Sequence, residues 1–540
     1  MLSRLLPDRF RYLFIGGFFS LLLGLGLIIL PDYGTSTDEG LSRLNGQVSL
    51  LYLFQKLPIS LQQRLLDPYA ASHMAGKEER YQMANYTDRD YGVAFELPVT
   101  IGERLFHLQD ERAIFVFRHL CTFLVCYLGV WGMFWLGRER FGSWRAGLLT
   151  AVLLALSPRL FAESFYNDKD VVFMSLFALA MFTAVRFLKR PSLSTAAWHA
   201  LLCALTIDVR IMGILVPAAT LAMVSLRLLR NEYPNRPQAL RATGLYVLLA
   251  PALVVTFWPY LWEAPLAHFV EAFQNMSHFR WTGYVLHQGV LLRENNLPWS
   301  YAPVWISITT PLLYMAALAV GTGVILAQLV RRSWRLYATD AEWQDLLFLG
   351  TGLAPLLAVI VLHSVLYDGW RQLYFVYPML LMVAMRGLVA IWRWQPTQAA
   401  WWQPAVAGIA GLCLLVTAGQ MIQLHPYQNT YFNSLARQPV EANYAVDYWG
   451  LSYRQGFEWI VQHESRPVLR VCAPLQHASM LGRLMLQPNQ RTRIELVEKP
   501  EQADYFVTNY IFHPQPYPYP GPAYAVRAGG MRLLGVYHLR

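Results

Sequence analysis

Charge is what this sequence has least of. Only 14% of its 540 residues are Asp, Glu, Lys or Arg, against 55% hydrophobic, and the mean hydropathy is +0.30. A water-soluble chain carries roughly a quarter charged residues to cover its surface, so a soluble globular protein is excluded. Cysteine is scarce too. Of the five, Cys121, Cys126, Cys203 and Cys413 lie in apolar segments and Cys472 in a polar one, which excludes a disulfide framework. The loops contain no His/Cys cluster at metal-ligand spacing. No internal repeat is visible, which argues against a transporter built from duplicated halves. The net charge of +10 is no nucleic-acid footprint, because the basic residues sit in short loops between apolar runs.

Those runs are what the chain has in abundance. About eleven segments approach the roughly twenty residues needed to cross a bilayer: 12–30, 114–136, 146–162, 170–188, 196–208, 211–227, 243–259, 304–330, 346–362, 373–392 and 404–423. The first follows Arg4, Arg9 and Arg11. It is long for a signal sequence and lacks a small-residue cleavage site, so it reads as an uncleaved span. The fifth and sixth read as two spans or as one long broken helix.

Positive residues concentrate on one side of the membrane. With the N-terminus inside, the inside loops hold Arg138, Arg140, Arg145, Arg186, Lys189, Arg190, Arg227, Arg230, Arg236, Arg241, Arg331, Arg332, Arg335, Arg386 and Arg393. The short outside loops hold Arg159, Lys169, Arg210 and Arg371. The asymmetry persists on both sides of the doubtful pair, which favours two spans there and places the C-terminus outside.

Two outside loops are long, 31–113 and 260–303. The first opens with Asp38 and Glu39, then continues as LSRLNGQVSLLYLFQKLPISLQQRLL, the pattern of a helix lying in the interface. The second is rich in Trp, Tyr and Pro and reads equally as an aromatic belt or as an aromatic-lined groove. After Gln423 the composition changes. RPVLRVCAP, RIELVE, ADYFVTNYIF and MRLLGVYHLR read as strands, and SYRQGFEWIVQH and HASMLGRLML as helices. The expected fold is a polytopic α-helical membrane protein with a transmembrane module over 1–423 and a small α/β domain over 424–540, on the extracytoplasmic side of the inner or plasma membrane.

Ionisable residues at span ends are costly to bury and mark candidate sites. They are Asp38-Glu39; Arg118-His119; Glu163, Asn167, Asp168, Lys169 and Asp170; Asp208 and Arg210; His363, Asp368 and Arg371; and the polar stretches 425–433 and 447–454. Each has a plain reading. Arg118 and His119 can snorkel or pair with a carboxylate, Asp208 and Arg210 can cap a helix junction, Asp368 and Arg371 can brace a turn, and Asp168 and Asp170 can complement a helix N-terminus. What argues against all the plain readings together is that nearly every one falls on the same side. A one-sided polar cluster suits phosphoryl and sugar chemistry: Arg and Lys hold a phosphate, and a carboxylate takes a proton from a hydroxyl.

These pieces, in this order, resemble the membrane glycosyltransferases of the C-type fold, close to family 39, the protein O-mannosyltransferase-like group with its bacterial relatives. The resemblance rests on Asp38-Glu39 in the first outside loop, on Ser157-Pro158 followed by Ser164 to Asp170, and on Arg210 to Gly213. WPYLWEAP, LPWSYAPVWISITTP, LYDGWRQLYFVYP, HPYQNTYFN and DYWGLSY resemble a bacterial subgroup. It implies an inverting transfer of a hexosyl or pentosyl group from a polyprenyl-phosphate sugar to a hydroxyl of a glycan, lipid or protein. Asp38 would be the base, with Glu39 and Asp170 as supporting acids, and Arg118, His119, Lys169, Arg210, Asp368 and Arg371 would bind substrate. No long soluble repeat of the eukaryotic O-mannosyltransferases is found, which leaves a protein acceptor in question. A magnesium or manganese ion held by Asp38, Glu39 and Asp170 stays an open alternative. The competing functions are a flippase or transporter of lipid-linked sugars and a non-catalytic scaffold. Nucleic acid is not an expected partner.

Overall fold

The computed structural model describes residues 8–58, 82–277, 281–394, 400–511, 513 and 515–540. Among them, nine helices are long and apolar enough to cross a membrane: Asp8–Asp32, Glu111–Phe141, Asp170–Lys189, Ile211–Leu229, Arg236–Phe257, Leu312–Arg335, Asp340–Val361, Arg371–Arg393 and Trp402–Leu424. The two remaining expected spans are also helical but irregular. The run at 146–162 is a bent pair, Trp144–Ala155 and Pro158–Tyr166, meeting at 71°. Pro158 causes the break: it suits the first turn of a new helix but cannot continue an old one. The run at 196–208 is the shorter apolar helix Leu193–Val209. It ends at Arg210, whose extended backbone (φ −148°) separates it from the next helix. The doubtful pair is therefore two elements.

The chain forms two compact units, one of residues 1–38, 109–171 and 281–540, the other of 39–108 and 172–280. In the first, the helices Leu312–Arg332 and Tyr377–Arg393 pack through glycine. A Cβ on Gly321 would lie 2.0 Å from the Val383 carbonyl oxygen, and one on Gly387 would lie 1.9 Å from that of Ala317. Small residues let backbones approach where apolar burial gives no drive between helices. Near the basic ends of these helices, Asp345 accepts a fork from Arg140 at 2.7 and 2.6 Å and pairs with Arg386 at 3.3 Å. That bolts three spans together with charge-assisted bonds.

In the second unit, helix Glu39–Gln55 packs on Glu96–Leu105, with Gly46 against the Glu96 carbonyl and Arg43 paired to Glu103 at 3.1 Å. Its Leu44, Val48 and Tyr52 form a small core with Met83 and Tyr86. The interfacial helix expected from 41 is thus present to Gln55, and residues 59–66 lie outside the described residues. Asp208 is fully buried and accepts the Ala94 backbone N–H at 3.0 Å.

In the aromatic stretch 260–303 the chain makes a hairpin, β1 (Tyr284–His287) with β2 (Val290–Arg293), which alternation had not announced. The C-terminal region holds the expected strands β3 (Leu469–Cys472), β4 (Ile494–Val497), β5 (Tyr505–Thr508) and β7 (Met531–His538), and an unexpected β6 (Tyr524–Ala528) after the Pro/Tyr stretch. The sheet order is β4-β3-β5-β7-β6. β3 is parallel to both β4 and β5, and β7 is antiparallel to its two neighbours. Helices Ser452–His463 and Gln476–Leu484 match the expected ones and contact each other.

Candidate active site

Four of the ionisable residues singled out in the sequence meet in the first unit. Arg371 opens the span Arg371–Arg393. Its Nη1 donates to Asp38 Oδ2 at 2.7 Å and to Asp170 Oδ2 at 3.1 Å, and its Nη2 faces Asp368 Oδ2 at 3.5 Å. The guanidinium carbon lies 4.6 Å from the ring centroids of both Tyr367 and Trp449, a cation held between two aromatic faces. Exposure divides the acids. Asp170 is 1% exposed, whereas Asp38 and Asp368 keep 25% and 24% of their side chains accessible. Asp38 and Asp368 can touch a substrate; Asp170 supports Arg371 from behind. Asp368 sits in the left-handed region (φ +53°) before Gly369 (φ +78°), a turn that aims it back at Arg371. Burial pushes its carboxyl up to about 6, against the pull of Arg371.

The loop carrying Asp38 is held on every side. Tyr33 stacks on Phe165 at 4.4 Å and donates to Gln428 at 3.1 Å. Ser36 donates to the Tyr166 carbonyl at 3.1 Å, the Thr37 N–H donates to the Trp449 carbonyl at 3.2 Å, and His477 meets the Thr37 carbonyl at 3.0 Å. Gly34 is required here, because a Cβ would come 2.7 Å from the Leu451 carbonyl oxygen. A carboxylate held this way loses little freedom when it engages a bound group.

A second layer fixes Asp170. Asn167 accepts the Asp170 backbone N–H at 2.7 Å and donates to Glu163 at 2.7 Å. Glu163, fully buried, also accepts from Tyr374 at 2.9 Å and Tyr448 at 3.1 Å. Tyr448 receives Arg159 at 3.2 Å. Glu163, and Tyr448 and Trp449 within the stretch 447–454, stood out in the sequence without an assigned role, and Tyr374 did not stand out. Their signal in the sequence, polar or aromatic residues near span ends, is shared by many others.

The remaining expected residues are placed elsewhere. Arg118 pairs with Asp168 at 3.5 Å, both enclosed, and His119 is equally buried. Lys169 is half-buried in the turn before Asp170. Glu39, buried at the start of its helix, and Arg210, half-buried at its helix end, belong to the second unit. Of the aromatic stretch, Trp281 stacks on Tyr367 at 4.4 Å and so continues the Arg371 stack. Trp258 and Leu261 are packed in an apolar core, and Trp299 is 72% exposed.

Among the described residues no group of three or more His, Cys, Asp or Glu side chains could hold a metal ion. At the Arg371 cluster the two nearest carboxylate oxygens converge on one guanidinium nitrogen. A divalent ion and that nitrogen cannot share the point, so Asp38 and Asp170 as placed do not fit a metal.

Known proteins share part of this picture. Residues 98–262 match the family of dolichyl-phosphate-mannose-protein mannosyltransferases. This mannosyltransferase-like stretch contains Arg159, Glu163, Asn167 and Asp170 but ends before Asp368 and Arg371 and begins after Asp38. No curated protein matches the chain. Solved structures with some likeness include ArnT from Cupriavidus metallidurans bound to undecaprenyl phosphate, 13% identical with a TM-score of 0.49, and its apo state, 13% with 0.45; each covers 97% of this chain and 98% of that one. An Archaeoglobus fulgidus oligosaccharyltransferase, in complex with Zn and sulfate, is 12% identical with a TM-score of 0.42. It covers 78% of this chain, which spans only 59% of that protein. The chain is thus a multi-pass membrane protein with a glycosyltransferase-family segment over residues 98–262.

Proposed function

We propose that the chain is an inverting glycosyltransferase that moves a sugar from a polyprenyl-phosphate donor to a hydroxyl acceptor on the extracytoplasmic side of the membrane. The observation that carries this reading is the meeting of Asp38, Asp170 and Asp368 on Arg371, with Asp38 held rigidly yet accessible. Asp38 takes the proton of the acceptor hydroxyl as its oxygen forms a bond to the anomeric carbon. The bond from that carbon to the phosphate oxygen breaks on the opposite face, and the polyprenyl phosphate leaves with one more negative charge. Arg371 faces that charge, an electrostatic role that grows in the transition state. Proton and leaving group both end in water or at the membrane surface, and no step needs a metal. The match of residues 98–262 to a mannosyltransferase family supports the reaction class, and the Arg/Lys asymmetry supports the side.

Two experiments test it. Purified protein incubated with a radiolabelled polyprenyl-phosphate sugar transfers label to an acceptor or to water; a flippase would only move intact donor across a bilayer, and a scaffold would do neither. Cysteines introduced at 38 and 500 react with an impermeant reagent in spheroplasts, and protection of either would overturn the topology.

A further inference from the structure

The C-terminal sheet has a place where open α/β sheets take ligands. From β3 the chain crosses through helix Gln476–Leu484 to β4 on one side, then returns through 500–502 to β5 on the other. The β3/β5 boundary is therefore where strand order reverses, and the crevice beyond the strand ends there is a common binding position. In this protein the chain's own segment 447–452 packs against the elements that leave these strand ends. Asn509, just past β5, donates to the Asp447 carbonyl at 2.9 Å. Gly450 (φ +74°) packs so closely on Ala478, in the helix after β3, that an added Cβ would come 2.7 Å from that of Ala478. The Asp447 carboxylate ties down the Leu451 and Ser452 N–H groups at 3.2 and 3.1 Å. The fold has spent its ligand crevice on gripping one short loop, and that loop carries Trp449.

Trp449 is 1% exposed and lays its ring against the Arg371 guanidinium. Its indole N–H has no acceptor among the described residues. Arg371 Nε is likewise buried without a partner. So is the hydroxyl of Tyr166, a fully buried residue whose ring meets that of Trp449 edge-on at 6.1 Å. Three donors therefore lack acceptors in side chains joined by contact, Tyr166 to Trp449 and Trp449 to Arg371. Buried donors are otherwise nearly always satisfied, and leaving one unmade costs more than a typical bond gains. The group that suits such a set is an anion with several acceptor oxygens and no donor of its own. A phosphodiester is such a group.

We propose that Trp449 and Tyr166 are phosphate-binding residues, donating to the phosphate of the lipid-linked donor beside Arg371, and that a task of the C-terminal region is to present Trp449 for it. This rests on the polyprenyl-phosphate reading above. The test is direct binding of undecaprenyl phosphate to the full-length protein in nanodiscs, without turnover. Trp449→Phe and Tyr166→Phe keep an aromatic ring and remove the donor, and each weakens binding about ten- to a hundred-fold, the loss of one hydrogen bond to a charged group. Benzothienylalanine at 449 keeps the shape of indole without its N–H. It gives the same loss, and it decides the matter should Trp449→Phe fail to fold. Wild-type affinity in the benzothienylalanine and Tyr166→Phe proteins overturns the inference and leaves the transferase reading standing. A wild-type protein that does not bind undecaprenyl phosphate at all brings down both.

Discussion

Asp38→Asn separates catalysis from architecture. Asn keeps the size of Asp38 and can still accept from Arg371, but it cannot take up a proton. Arg371 retains Asp170 at 3.1 Å and Asp368 at 3.5 Å, so its charge stays compensated. The charge that is lost belongs to a side chain that is 25% exposed, and weakening its ion pair costs folding about 1 kcal/mol. Removal of a general base costs turnover about 10²–10⁴-fold, which is about 2.7–5.4 kcal/mol of barrier. The catalytic effect thus exceeds the structural one several-fold. Asp170→Asn is the converse. That residue is 1% exposed and bonded to an equally buried cation, and breaking such a pair costs about 3 kcal/mol, the low end for buried pairs because two partners remain. Turnover at saturating labelled donor, donor affinity and thermal unfolding in one detergent are the three measurements. Asp38→Asn should lose turnover at nearly constant affinity and stability, because a base acts in the transition state. Near-wild-type turnover would refute the argument and move the base to Asp368, the other accessible acid of the cluster.

Two further predictions follow from the geometry. Asp368 holds its proton up to about 6 in the folded protein against 3.8 ordinarily, so it faces Arg371 as a neutral group below about 6 and as an anion above. A polyprenyl phosphodiester stays anionic throughout, so its affinity should fall as pH rises from 5 to 7.5, and Asp368→Asn should remove that dependence; a wild-type profile in the variant would exclude Asp368 as its source. By linkage, the stability this carboxyl contributes is complete below its ordinary value and is lost as pH rises through about 6. In the membrane, Gly321→Val places a side chain where a Cβ alone lies 2.0 Å from the Val383 carbonyl oxygen. It should lower the unfolding temperature sharply while Gly323→Val, with open space around it, does not; equal effects would show that this contact does not hold the two spans.

Much of the fold is legible from local signals. A twenty-residue apolar run must satisfy its own backbone in lipid and can do so only as a helix, which is why all the expected spans are helical. Pro158 breaks the third, Thr310 and Pro311 break the expected span 304–330 into Tyr301–Thr309 and Leu312–Arg332, and Arg210 separates the fifth from the sixth. The strands β3, β4, β5 and β7 are short β-branched and aromatic runs between turns. β6 escaped because it follows a Pro/Tyr stretch that reads as loop to its end, and the hairpin 284–293 because its aromatic and charged residues do not alternate.

The site divides along the same line. Asp38, Asp170, Asp368 and Arg371 could each be picked out from one fact of sequence, an ionisable residue at the mouth of a span, where burial must have a reason. By the same fact Arg118 and His119 looked equally apt, and tertiary packing instead enclosed them. The partnership of Asp38 with Arg371 spans 333 positions, and nothing periodic in a chain encodes a contact of that separation. Trp449 is the clearest case. In sequence it is one of 18 tryptophans. Its place over Arg371 exists because a sheet some twenty residues further on grips the loop that carries it, and such a place is set by the packing of surfaces that only the folded chain possesses.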